Sequence, residues 1–250
     1  MKNFTAEELQ QNFLTLVSYI DQYVTGERKD QLKKLYEDHA ERIMMMPAAG
    51  TEHFHNCFVG GYVDHVVRVI DGALTLKNIW KEFGSNINFS DEELVFAALN
   101  HDLGKIGTEE HEMYVPNDSE WHRKNQGKIY KNNPANSFMT VPDRSLKLLA
   151  DRGIRVSENE WFGIKLHDGM YDESNKHYYI SYDVNSRLRT SLPYILHQAD
   201  QMAARVEYEM WVSESTTTPK TKTKSNIQTT TALSDSDKAD LVSVFNDLFK

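Results

Sequence analysis

His101 and Asp102 stand side by side at the end of an apolar run, in "AALNHDLGKIG" at 97–107. An imidazole nitrogen and a carboxylate oxygen both suit a borderline divalent cation, which takes three or more such donors held rigidly by different elements, with positions left open for water. Neighbours on an ideal helix point about 100° apart, so both side chains reach one ion only if it lies off the helix end. Gly104 stops the apolar run at that point. His65 on the preceding helix and Asp200 on a late one complete a set drawn from three helices. His197 lies one helical turn before Asp200 and is a candidate to support a ligand or line the pocket.

The elements that must position these residues are helical. Thr5 with Glu8 reads as a capping box, followed by Phe13, Leu16, Val17, Ile20 and Val24 at helical spacing and a stop at Gly26. A second helix is expected from Arg28 to Met44, broken by "PAAG" at 47–50. After Gly60-Gly61, the apolar residues Val63, Val66, Val67, Ile70, Leu74 and Ile79 recur at helical intervals and carry His65. Ser90 caps the helix that ends in the His-Asp pair, and Gly104 is expected to close it. Residues 108–143 are polar and rich in Asn, Pro and Gly, which predicts a long loop or a set of short helices. Helices are expected at 143–152 and 157–167, a turn-like tyrosine-rich stretch follows, and "SLPYILHQADQMAARVEYEMWV" is a strong helix that carries Asp200. No succession of alternating short strands occurs, so the expected class is all-α.

The chain has 250 residues, 40% of them hydrophobic and 26% charged, which suits one globular domain. We expect that domain at 1–212, a flexible Thr/Ser/Lys linker at 213–232, and a C-terminal amphipathic helix at 233–250 with Leu241, Val244, Phe245 and Leu248 on one face. That helix suits docking on its own domain, on a second copy in a homo-oligomer, or in the groove of a protein partner. A net charge of −9 argues against a generic nucleic-acid binder, whose surface is basic, though it leaves room for a local basic groove. No apolar run is long enough to span a bilayer and "MKNFTAEELQQ" has no signal-peptide pattern, so no membrane partner and a cytoplasmic address are expected. The lone Cys57 gives no disulfide framework and reads as a small buried hydrophobe.

The order His65, His101-Asp102, Asp200 resembles the H…HD…D pattern of the HD superfamily of metal-dependent phosphohydrolases. "PAAGTEHFHNCFVGGYVDHVVRV" is similar to the segment around the first ligand in the HD domain of 3′-to-5′ exoribonucleases, "LNHDLGKIG" to their H-D-x-G-K helix end, and "ILHQADQMAARVE" to their Leu-His-x-Ala-Asp segment. Together these cover much of residues 40–205.

The resemblance implies an HD-type helical bundle whose His65, His101, Asp102 and Asp200 hold a divalent cation that activates water for attack on phosphorus. Imidazole-rich ligation favours Mn, Fe, Co or Ni, with Mg and Zn also open. Asp102 could orient the nucleophile or take its proton, and Lys105, one turn on, is placed to meet a phosphate oxygen. Members with two ions supply further histidines between the HD pair and the last Asp, which makes His122 and His167 the candidates for a second metal. Here the family's adjacent histidines are replaced by His167-Asp168, and the surroundings of His122 match poorly. His53 and His55 precede the Gly-Gly pair and could line the pocket or bind phosphate. Arg123 and Lys124 open a basic stretch suited to a polyphosphate or a nucleic-acid backbone.

Only about forty residues precede the PAA segment, too few for the OB-fold that such exoribonucleases carry there. That shortage and the acidic charge point to hydrolysis of a nucleoside mono- or triphosphate. The alternatives are a 3′-to-5′ exonuclease or other phosphodiesterase acting on short single-stranded nucleic acid or a cyclic nucleotide, for which Lys105 speaks, and a non-catalytic binding protein that retains the fold.

Overall fold

The computed structural model describes residues 3–54 and 56–217; His55 and the expected C-terminal helix at 233–250 lie outside the described residues. These form an all-α fold with one small two-stranded ribbon. Helix α1 (Ala6–Tyr23) starts at the Thr5/Glu8 capping box and buries Leu9, Phe13, Leu16 and Ile20 at helical spacing. The helix expected from Arg28 to Met44 is two: α2 (Glu27–Asp38) and α3 (Ala40–Met45), separated at His39, whose φ of −114° and ψ of 16° leave the helical region. The kink lets Leu32, Leu35 and Tyr36 face the core from one helix and Ala40, Ile43 and Met44 from the other.

Helix α4 (Gly61–Glu82) carries His65, and α5 (Asp91–Asn100) begins at a Ser90/Glu93 capping box. Every residue of α5 from Leu94 to Asn100 is buried. A helix apolar on all sides belongs at the centre of a bundle, and α5 is enclosed by α1, α4, α8 (Glu158–Leu166) and α10 (Leu192–Thr217). Gly104 does not close α5 by a left-handed turn. The chain leaves the helix at Asp102 (φ −105°) and winds into a 3-10 turn, Leu103–Ile106, that ends at Gly107 with φ of +91°. Gly104 is required by close approach: a Cβ there would lie 2.2 Å from the Val141 carbonyl oxygen at the start of α7 (Val141–Asp151).

The polar middle folds into strands β1 (Tyr114–Pro116) and β2 (Tyr130–Asn132), paired antiparallel with Val115 opposite Lys131, around the short helix α6 (Glu120–Gln126). It is fastened to the segment before α4 by Glu52 N–H to the Gly127 carbonyl (2.8 Å) and Tyr130 N–H to the Gly50 carbonyl (3.0 Å). The tyrosine-rich stretch forms two 3-10 turns, Gly169–Tyr171 and Glu173–Asn175, and α9 (Lys176–Ile180). Helix α10 continues through Thr217, beyond the change of composition after Val212. No helix among the described residues is long and apolar enough to cross a membrane.

Candidate metal centre

Four helices bring five side chains to one buried point. His65 comes from the second turn of α4, His101 and Asp102 from the end of α5, His167 from the residue after α8, and Asp200 from α10. Ligand atoms of His65, His101 and Asp102 lie within 4.8 Å of one another, as do those of His101, His167 and Asp200. His65 Nε2 is 3.1 Å from Asp200 Oδ1 and 3.7 Å from Asp102 Oδ2, while His167 Nε2 is 3.7 Å from Asp102 Oδ1. The two residues that end helices, His101 and His167, both turn inward, with ring centroids 4.9 Å apart.

Each imidazole is oriented by its other nitrogen. His101 Nδ1–H donates to the Ala98 carbonyl (2.7 Å) and His167 Nδ1–H to the Ile164 carbonyl (2.8 Å), which leaves Nε2 of both rings aimed at the cluster as an acceptor. His65 Nδ1 faces the buried carboxylate of Glu207 at 3.1 and 3.2 Å. Glu207 in turn accepts from Arg68 at 2.7 Å, and Arg68 also pairs with Asp64 at 3.0 Å. A carboxylate behind a ligating histidine fixes the ring and raises its basicity. The corner that holds the His-Asp pair is pinned from α7: Ser145 Oγ accepts from Gly104 N–H (2.7 Å) and lies 3.2 Å from the His101 carbonyl.

The electrostatics divide the histidines. Burial pushes His101 down to about 4, so its ring stays neutral. Burial acts the same way on His65, but Glu207 and Asp200 outweigh it and push that ring up to about 10. Burial would raise Asp102, yet Lys105 and the three imidazoles hold it far below the usual carboxylate range; His65 and its neighbours do the same for Asp200. Lys105 Nζ donates to Asp102 Oδ2 at 2.6 Å and is buried, its charge held by that carboxylate. The lysine expected to meet phosphate thus faces Asp102 in this arrangement.

The residues suit a cation. His101 Nε2 is fully buried and finds no hydrogen-bond donor among the described residues. An acceptor left in that state costs about 1–3 kcal/mol unless something fills its lone pair. Three imidazole nitrogens and two carboxylates are the donor set of a borderline divalent ion.

The other candidate residues divide between the cluster and the surface. His167 joins the same cluster as the first ligand set. His122 does not: it sits exposed on α6 with its ring beside Trp121. His53 is likewise exposed, beside Phe54. The basic stretch is engaged within its own hairpin, where Arg123 donates to the Asn117 carbonyl, Lys124 pairs with Glu120, and Lys131 pairs with Asp118 at 2.8 Å. His197 is half-buried and donates through Nδ1 to the His167 carbonyl at 2.7 Å, so it supports a cluster member's backbone. Cys57 is buried, and burial pushes its thiol up to about 12.

Sequence reasoning missed Glu207, Arg68, Ser145 and Asp168. Glu207 had a signal, since it lies seven residues, or two turns, beyond Asp200 on the same helix face. Asp168, whose Oδ1 is 3.6 Å from His167 Nε2, had its adjacency to a candidate histidine as its signal. No protein-family model, curated protein or solved structure matches the chain.

Proposed function

We propose that this chain is a metal-dependent phosphohydrolase of the HD superfamily that hydrolyses a phosphate ester or anhydride of a nucleotide. The observation that carries this reading is the meeting of His65, His101, Asp102, His167 and Asp200 from four helices, with their rings tied from behind and His101 Nε2 buried without a donor. Those five residues would hold the ion, and Mn, Fe, Co or Ni suits the three imidazoles better than Mg. A divalent cation supplies Lewis acidity there, making water a competent nucleophile near neutral pH and screening the charge on phosphoryl oxygens.

The chain's own groups do the rest. Lys105 locks the Asp102 carboxylate as an anion in one orientation. Asp200 and Asp168 are the carboxylates of the group with solvent access, and Asp168, half exposed beside His167, is placed to take the proton that an attacking water loses. The wall of buried apolar residues on α5 keeps bulk water away from the opposite side of the cluster. The involvement of Arg123, Lys124 and Lys131 with their own hairpin favours a small substrate over a nucleic-acid strand, which needs a continuous basic groove.

The test is a substrate screen on protein loaded separately with Mn, Co, Ni and Mg, using nucleoside mono- and triphosphates, a cyclic nucleotide and short single-stranded RNA and DNA, followed by product chromatography. Release of phosphate or polyphosphate from free nucleotides, lost to background in His101→Ala, is the expected result. Stepwise shortening of the oligomers would replace this reading with the exonuclease one. No turnover with any ion would leave the fold as a binding protein.

A further inference from the structure

Tyr171 stands out among the exposed aromatic residues because hydrogen bonds and packing tie it to the cluster. It ends the 3-10 turn that follows His167-Asp168, and its residue is 74% exposed. Its hydroxyl accepts from Gln201 Nε2 at 2.8 Å, and Gln201 adjoins Asp200 on α10. Its ring lies 6.1 Å from that of His197, tilted by 56°, and His197 is the residue that donates to the His167 carbonyl. The tilt sets the imidazole against the phenol without covering both faces. The turn is built for this approach: Gly169 has φ of +57°, and a Cβ there would meet the His197 ring at 2.5 Å.

An exposed tyrosine ordinarily swings between rotamers, and ordering it costs free energy that solvent does not return. Here the ring is held at its far end by an amide and at its flank by an imidazole, while most of it faces water. A flat, fixed π-face beside a centre suited to phosphate is the arrangement that receives a planar heterocycle, and every nucleobase offers such a face.

We propose that Tyr171, braced by His197 and Gln201, is a stacking platform for the base of a nucleotide whose phosphate lies at the cluster. The proposal rests on the nucleotide reading above and sharpens it. The base is recognised by its π-face, so discrimination among bases at this position is weak, and a phosphate ester without a base loses this contact.

The experiment is a ligand-observed NMR titration of adenosine and of uridine into the metal-loaded full-length protein. A nucleoside has no phosphate, so the measurement reads the base contact without turnover. Adenosine and uridine are expected to bind weakly to the wild type, and Tyr171→Ala to weaken both by about tenfold or more. Tyr171→Trp, which keeps a π-face, is expected to restore binding, with circular dichroism and thermal unfolding showing that both variants are folded. Equal affinity in Tyr171→Ala and wild type, or no nucleoside binding to the wild type, overturns the platform even if nucleotides are hydrolysed. Tyr171-dependent nucleoside binding in a protein that hydrolyses nothing keeps the platform and removes the phosphohydrolase reading.

Discussion

Glu207 decides how well His65 can serve as a ligand. Its carboxylate lies between His65 Nδ1 and the Arg68 guanidinium, so it fixes one ring and neutralises one half-buried cation at once. Glu207→Gln keeps the shape and a hydrogen-bond acceptor but removes the charge that makes the ring a strong donor. Loss of such a partner typically weakens metal binding by about 10–100-fold. We expect a shift of that size in a metal titration of Glu207→Gln, with the fold retained; an unchanged affinity would mean that His65 does not ligate. At this scale the sequence made four members of the cluster legible, because His65, His101-Asp102 and Asp200 are polar residues interrupting apolar helical stripes. It hid what stands behind them. Ser145 is a single hydroxyl in an ordinary amphipathic helix, and only the approach of α7 to the 103–106 turn gives it a role. The histidines at 53 and 122 are equivalent in type to those of the cluster yet sit on exposed segments, because nothing local distinguishes a ring that will be buried from one that will not.

The junction of α2 and α3 holds a buried histidine that resists protonation. His39 is 7% exposed, its Nε2 is 3.2 Å from Glu109, and burial holds its pKa below the ordinary 6.5 despite that carboxylate. Arg42 and Arg152 push it the same way, and Asp38 opposes them. A histidine that resists protonation in the fold but accepts a proton when unfolded contributes stability that is complete above about 6.5 and is lost progressively as the pH falls from there through the lowered folded-state value. Urea midpoints measured between pH 7 and 5.5 are therefore expected to fall, and to fall less steeply in His39→Gln. Equal slopes would assign the loss to other groups. The break at His39 was illegible in the sequence, since neither glycine nor proline marks it and the apolar spacing runs on; packing of two short faces overrides local propensity. The capped helix starts at Thr5 and Ser90 were legible, because a capping box is satisfied within four residues. The ribbon at 114–132 was not, because three-residue polar strands carry no period long enough to detect.

For the molecule as a whole, the cluster joins α4, α5, α8 and α10 where two carboxylates and three imidazoles face each other. A ligand that binds only the folded chain stabilises it by mass action, by about 2.7 kcal/mol at a hundred times its dissociation constant. For a chain of this size each kcal/mol moves the midpoint by about 2–4 °C, so a saturating cation is expected to raise Tm by about 5–10 °C. The effect belongs to the whole fold, because the five residues come from elements far apart in sequence and are assembled only when the helices pack around α5. Thermal unfolding with and without Mn or Ni tests this, with chelation reversing the shift. His101→Ala is expected to lose most of it, since that variant removes a neutral nitrogen that finds no hydrogen-bond donor among the described residues. A midpoint unmoved by every ion would mean that the five residues are held by their own ion pairs alone, and the hydrolytic reading would fall with them.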